Sequence, residues 1–322
     1  MTSLALIHAA AERLRGHARR TPLLNAPLLD RIAGRRIFVK AECLQWTGSF
    51  KFRGGWSAVS ALPEDSRPRG VIAFSSGNHA QGVALAARRH GIPAVILMPA
   101  DAPQVKIANT RAYGAECVLY DRITQDRDAM GAAMALDRGL ALIRPYDDPQ
   151  VIAGQGTTGL EIAEQAAEAG ISGAPVVTCC GGGGLSAGIA LALEPSGMQV
   201  RPAEPEGFDD MARSLASGQR QRNALASGSI CDAIVTPTPG LLTFPILQRL
   251  AGPGLVVTDD EALQAMVLAF THLRIVLEPG GAVALAACLF RPDLPDTVIC
   301  TASGGNVDPA LLASCLGRYP AQ

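Results

Sequence analysis

Lysine is nearly missing from this chain. Of 28 Lys and Arg residues among 322, only Lys40, Lys51 and Lys106 are lysines. Surplus charge is missing too: the formal net charge is −1 and no run of Lys or Arg occurs. That argues against nucleic acid and an anionic membrane as the main partner. No apolar window approaches the roughly 18 residues of a membrane span. The N-terminal MTSLALIHAAAERLRGHARR lacks the long apolar stretch of a signal peptide and reads as an amphipathic helix. Histidines number five, and the eight cysteines include the adjacent Cys179–Cys180 but no CxxC. A zinc cluster and a disulfide scaffold are therefore disfavoured, and a cytoplasmic location is expected.

What is present is apolar sequence, 48% of the chain, enough for one large or two ordinary domains. Short apolar runs alternate with helical segments. GVIAFSS (70–76), PAVILMP, AECVLYD, LALIRPY (140–146), PVVTCC and TVIC read as strands. HAQGVALAARRHG, the stretch from about 102 to 113, that from about 127 to 138, GLEIAEQAAEAG and LSAGIALALE read as helices. This order predicts an α/β fold of parallel sheets covered by helices. Runs such as AVILM fit strands buried on both faces. The polar stretch 214–229 is expected to be a surface loop or a frayed helix. In such folds ligands lie at the C-terminal ends of strands, where the motifs below fall.

The lysine in GSFKFRGGW (48–56) stands between small and aromatic residues. Arginine stays protonated in proteins, whereas a lysine can be tuned to a neutral, nucleophilic amine. A salt bridge or a solvated surface cation is the ordinary fate of a lysine. CCGGGGLSAGIALAL places four glycines, Gly181, Gly182, Gly183 and Gly184, between a strand and a helix starting near Leu185. Backbone N–H groups unshielded by side chains, at a helix N-terminus, suit a phosphate. The strict GxGxxG pattern fails and GxxxxGK[ST] is absent, so a nucleotide is poorly supported. SSGNHAQG, with Ser75, Ser76, Asn78 and His79, can form a second anion site or a simple Asn turn. TASGGNVD presents Ser303 on a glycine-rich turn, where its hydroxyl can project into a cleft. In AEPEGFDD, Glu204 and Asp210 with the carbonyl of Phe208 offer hard oxygen ligands; read alone, solvated acids at a helix start explain them better.

Together and in this order the motifs resemble pyridoxal-phosphate (PLP) enzymes of fold type II, in particular the serine/threonine dehydratase and serine racemase family. SFKFRGG is similar to the cofactor-lysine segment, SSGNHAQG to the substrate-carboxylate loop, GGGGL to the phosphate cup and SGGN to the pyridine-nitrogen turn. VIAGQGT (151–157) and LEPGGAVALAA (277–287) also resemble family segments. The resemblance implies two parallel-sheet domains with helices on both faces and the cofactor in the cleft between them. Residues 1–52 and 148–322 would form the large PLP-binding domain and 53–147 the small one. It implies Lys51 as the Schiff-base and acid/base residue, and Phe50 under the ring. Asn78 would meet the ring hydroxyl, Gly181 to Leu185 the phosphate and Ser303 the ring nitrogen. A serine there leaves that nitrogen unprotonated, which favours β-elimination over transamination.

Ser76 matches the position of a second catalytic hydroxyl in serine racemases and 3-hydroxyaspartate dehydratases. Glu204, Phe208 and Asp210 match a divalent-metal site of that branch, for Mg²⁺, Ca²⁺ or Mn²⁺. Ser75, Ser76, Asn78 and His79 would contact the substrate, and Arg127 a distal carboxylate of a dicarboxylic substrate. Ala233 stands where the family often has glycine, and TPTPG (236–240) is unusual. The implied activity is an ammonia-lyase reaction of the EC 4.3.1 type on 3-hydroxyaspartate, serine or threonine, by a homodimer. Serine racemisation and a hydroxyectoine-degradation dehydratase are the alternatives.

Overall fold

The structure, a computed structural model, describes residues 2–75, 77–102, 104–121 and 124–319. The chain opens with helix α1 (Leu4–Leu14), strand β1 (Leu23–Leu24), α2 (Pro27–Ala33), β2 (Arg36–Lys40) and α3 (Lys51–Ser60). Then come β3 (Val71–Phe74), α4 (Asn78–Arg89), β4 (Ala94–Pro99), α5 (Gln104–Ala112), β5 (Glu116–Tyr120), α6 (Arg127–Arg138) and β6 (Ala141–Leu142). The third stretch holds α7 (Pro149–Glu168), β7 (Val176–Cys179), α8 (Gly184–Leu193), β8 (Val200–Pro205), α9 (Asp210–Ser217) and α10 (Thr243–Leu250). It closes with β9 (Leu255–Val257), α11 (Asp259–Leu268), α12 (Pro279–Phe290), β10 (Thr297–Thr301) and α13 (Pro309–Arg318). No helix among the described residues is long and apolar enough to cross a membrane.

The strands form two sheets. One runs β1-β2-β10-β7-β8-β9, parallel except for the antiparallel β1–β2 pair; the other runs β5-β4-β3-β6 and is wholly parallel. Alternate residues feed cores on opposite faces. Ile37, Val39, Val177 and Val298 pack with α2, α11 and α12, while Phe38, Val176 and Ile299 pack with α7, α8 and α10. In the smaller sheet Val71, Ala73 and Ile96 face α3 and α4, and Ile72, Phe74 and Leu97 face α6. Burial on both faces is why these strands read as continuous apolar runs. The parallel-sheet α/β fold expected from the sequence is therefore the one found.

Two segments differ from the sequence reading. The strand expected over 140–146 pairs only at Ala141–Leu142. The helix expected from Gly159 begins at Pro149, with Asp148 capping the N–H groups of Gln150 and Val151. The glycines of VIAGQGTTG suggest a break, but they sit inside α7 as points of close approach. A Cβ on Gly156 would stand 2.8 Å from the Gly188 carbonyl, and one on Gly159 2.8 Å from the Ala192 Cβ. Glycine's cost inside a helix, about 1 kcal/mol relative to alanine, is accepted here because no larger residue fits. The stretch 214–229 behaves as expected: α9 ends at Ser217 and irregular, mostly exposed chain follows.

The α7–α8 crossing yields a stability prediction. A Cβ on Gly188 would lie 2.5 Å from the Ile152 carbonyl and 2.7 Å from the Gly156 nitrogen, both backbone atoms. Gly188→Ala should destabilise the protein by about 1–3 kcal/mol, the usual cost of overpacking. Denaturant unfolding measures this, and an unchanged midpoint would show that the two helices can separate freely.

Candidate active site

Lys51 and Ser303 are far apart in sequence and are joined by backbone pairing. The Phe50 N–H donates to the Ser303 carbonyl at 3.1 Å, and the Gly305 N–H to the Gly48 carbonyl at 2.9 Å. Ser49 and Gly304 form an antiparallel bridge. Gly48, at φ +72°, follows Thr47 at φ +60°, so the chain turns sharply into α3. That turn aims Lys51 into a cavity of about 520 Å³. Its Nζ donates to the Pro145 carbonyl at 2.7 Å and lies 5.1 Å from the Phe50 ring centre. Burial, which disfavours the ammonium form, lowers its pKa to about 8.

The glycine run closes another wall. Gly183 has φ +91°, in the left-handed region that favours glycine. A Cβ on Gly182 would stand 2.3 Å from the Tyr146 ring, and one on Gly184 2.7 Å from Gln155 Oε1. The Gly182 carbonyl is held by the Thr243 hydroxyl at 2.6 Å and the Gly240 N–H at 3.1 Å. Gly184, Leu185 and Ser186 form the first turn of α8, whose N–H groups have no carbonyl within the helix to bond. Gln155 lines this wall with both side-chain polar atoms buried and unpartnered. A backbone cradle with an orphaned amide fits an oxygen-rich anion such as a phosphate.

The loop after β3 forms the side facing α6. The Ser75 hydroxyl accepts the Gly77 N–H at 3.1 Å, and Asn78 and His79 start α4. The Asn78 amide donates to Glu278 Oε1 at 2.5 Å, and its oxygen accepts from the Asn306 side chain at 2.7 Å. Burial pushes the Glu278 carboxyl up to about 7. His79 Nε2 lies 3.2 Å from the Ile143 carbonyl; burial, then the Lys51 charge, lowers its pKa to about 3, so the ring is neutral.

Phe50, Lys51, Ser75, Asn78, His79, Arg127, Gly181 to Leu185 and Ser303 all line this one cavity. Ser76 lies outside the described residues. Arg127 opens α6, with its guanidinium 5.3 Å from the Phe74 ring centre and 3.5 Å from Asp128. Ala233 lines the cavity beside Ile234. Glu204, Phe208 and Asp210 lie outside it, behind the glycine loop. Glu204 accepts the N–H groups of Met211 and Ala212 at 3.0 and 2.7 Å, and a Cβ on Gly183 would stand 2.8 Å from Met211. Asp210 Oδ1 accepts from Asn223 at 2.6 Å, while Oδ2 is buried without a partner. Burial and then repulsion from Asp210 raise Glu204 well above the carboxylate range, and burial raises Asp210 to about 6.

Sequence reasoning missed Glu278, Gln155, Tyr146 and Lys106 as lining residues. Glu278 and Gln155 stand in segments whose family likeness was visible, LEPGG and AGQGT, but only the fold shows that their side chains turn inward. The lowered Lys51 pKa gives a testable result. Competitive acetylation of the cofactor-free protein, read by mass spectrometry, should show Lys51 becoming reactive as pH rises through about 8. Below that value the amine is protonated and protected; a midpoint near the ordinary lysine value would contradict the buried, unpaired environment.

Comparison with known proteins places the chain in a family. The family model for pyridoxal-phosphate dependent enzymes matches residues 14–306. An L-threo-3-hydroxyaspartate ammonia-lyase from Pseudomonas sp is 43% identical over 315 residues, 95% of this chain and 96% of that protein. A serine racemase from Schizosaccharomyces pombe is 39% identical, over 94% of this chain and 93% of its own. Among solved structures, maize serine racemase superposes with TM-score 0.90 at 34% identity, covering 98% of this chain and 97% of that one. The serine racemase from Dictyostelium discoideum gives TM-score 0.86 at 36% identity, over 95% and 99%. With a lysine amine, an anion cradle and a neutral serine around one cavity, the chain belongs to the family of pyridoxal-phosphate dependent enzymes.

Proposed function

We propose that the protein is a PLP-dependent ammonia-lyase that removes water from a β-hydroxy α-amino acid, 3-hydroxyaspartate, serine or threonine, to leave an enamine that tautomerises to an imine and takes up water to give a 2-oxo acid and ammonia. The observation that carries this reading is the placement of Lys51, the Gly181–Gly184 cradle and Ser303 on one cavity. Bound there, PLP supplies an electron sink for the substrate's α-carbon. The residues supply the rest. With its pKa lowered to about 8, Lys51 Nζ is neutral in a larger fraction than an ordinary lysine and can take the α-proton, and the Pro145 carbonyl orients it. The glycine cradle and the first turn of α8 hold the phosphate. Phe50 supports the ring. Ser303 offers a hydroxyl, which carries no net charge, to the ring nitrogen. Ser75, Asn78 and the first turn of α4 hold the substrate carboxylate, with His79 kept neutral behind them.

Two features favour a dicarboxylic substrate. Arg127 lines the cavity, and among the described residues its ion-pair partner is the exposed neighbour Asp128. The Pseudomonas sp relative and a yeast relative at 39% identity are named for L-threo-3-hydroxyaspartate. The racemase reading is supported by the S. pombe relative and by Ser76, the residue assigned to the opposite face. We read residues 53–147 as a small domain, in keeping with the four-stranded sheet, which lies wholly within that range. Eight unpaired cysteines fit a reducing, cytoplasmic setting.

A divalent cation is proposed at Glu204, the Phe208 carbonyl and Asp210. The fit rests on two buried carboxylates of like charge and on the unpartnered Asp210 Oδ2. A hard cation accepts such oxygens and would restore both acids to the ionised form.

A panel of L-serine, L-threonine and the 3-hydroxyaspartate isomers tests the assignment. The expected result is 2-oxo acid from at least one, highest for a 3-hydroxyaspartate. Product without oxo acid, in the form of the opposite enantiomer, would favour racemisation. Lys51→Ala should abolish turnover, a loss of at least about 10³-fold. Chelation should lower activity and Mg²⁺ restore it; indifference to both would return Glu204 and Asp210 to a purely structural role.

A further inference from the structure

Arg53 sits two residues after Lys51 and has no part in the cavity. At 100° per residue the two side chains leave α3 on opposite sides. Lys51 enters the cavity, and Arg53 enters a buried cluster of four charges. Arg53 Nε and Nη2 donate to Glu42 Oε2 and Oε1, each at 2.8 Å. Its Nη1 and Nη2 donate to Glu161 Oε1 and Oε2 at 2.7 and 2.9 Å. Lys40 Nζ donates to the same Glu161 at 2.5 Å and to Gln165 at 2.8 Å. Side-chain exposure is 0% for Lys40, 0% for Glu42, 1% for Arg53 and 17% for Glu161, so water screens little of this. Two positive and two negative groups leave the cluster neutral.

The cluster joins the pieces that matter for cofactor geometry. Glu42 belongs to the turn between β2 and α3. Glu161 lies on α7, the same helix whose Gln155 abuts Gly184 and whose Gly156 meets Gly188 of α8. Arg53 thus ties the helix that begins with Lys51 to the helix that backs the glycine cradle. A second tie is steric: a Cβ on Gly154 of α7 would stand 2.3 Å from the Arg53 carbonyl. Only a planar five-donor group can hold two carboxylates in bidentate fashion, which lysine cannot do. Buried ion pairs return about what their desolvation costs, so such a cluster contributes position more than stability.

We propose that Arg53 is a positioning residue: through Glu42 and Glu161 it fixes the first turn of α3, and with it Lys51 Nζ, at a set distance from the phosphate-binding glycines. This rests on the reading of Lys51 as the residue that holds the cofactor. Borohydride reduction of the PLP-loaded parent protein, with peptide mapping, must label Lys51; a label elsewhere sinks that reading and this inference with it.

With Lys51 labelled, the double variant Glu42→Gln/Arg53→Met is the direct test. It keeps the Lys40–Glu161 pair and leaves no unpaired buried charge. The Tm of the cofactor-free variant should stay within about 4 °C of the parent. The dissociation constant for PLP should rise at least about tenfold, and the visible band of the bound cofactor should move in wavelength or in its pH dependence. Arg53→Lys, able to hold one carboxylate, should fall between parent and double variant. Folded variants with the parent's PLP affinity and absorbance would overturn the inference. So would failure of both variants to fold, since the cluster would then serve stability alone.

Discussion

The backbone pairing of Gly48–Phe50 with Ser303–Gly305 is the contact on which the cavity depends. It brings the start of α3 against the loop after β10, a strand at the centre of the larger sheet. β10 is itself held by parallel pairing to β2 and β7, so the Ser303 turn is anchored by a buried ladder on both sides. β7 leads directly into the glycine run. Lys51, Ser303 and the cradle therefore occupy the same edge of the sheet, where parallel strands end and helices begin, as parallel α/β folds dictate for their ligands. If that pairing slipped, the lysine and the serine would lose their common frame even with every side chain unchanged.

Charge is placed on the same logic. In a chain that otherwise chooses arginine, each of the three lysines has an inward place. Lys40 completes the buried cluster, Lys51 enters the cavity, and Lys106 lies beside the Gly77 loop with Asp232 at 3.2 Å. Burial lowers the pKa of both Lys40 and Lys51, but with different consequences. Glu42 and Glu161 oppose the shift at Lys40. Lys51 Nζ bonds a carbonyl instead, and desolvation lowers its pKa to about 8. For Arg53, burial opposes the cation and the two glutamates outweigh it, raising its pKa.

Most of the frame was legible in the sequence, because parallel strands buried on both faces announce themselves as unbroken apolar runs. The motif residues were legible only as a set: each alone has an ordinary alternative, and their order along the chain resembles one family. What was illegible depends on tertiary closeness. The glycines inside α7 read as a break until α8 is seen to pack into them. Glu278 reads as an ordinary acid before a proline until Asn78 bonds to it from the start of α4. Arg53, in the most recognisable motif of the chain, had no assignable role because its partners Glu42 and Glu161 carry no local signature of pairing.

The proposed site uses ion pairs of two kinds, buried and rim. In the Arg53 cluster Glu42 is fully buried, Glu161 mostly so, and both are doubly bonded; removing one partner of a buried pair costs about 3–5 kcal/mol. No ligand competes with that. The rim pairs differ. Asp232 and Asp128 are 59% and 66% exposed, while their partners Lys106 and Arg127 line the cavity. Exposed pairs contribute only about 0–1 kcal/mol. A carboxylate entering the cavity, as proposed for the substrate, would displace an aspartate that water already solvates. Charges that cannot be exchanged suit the positioning role proposed for the interior, and charges that can suit the anion recognition proposed for the rim.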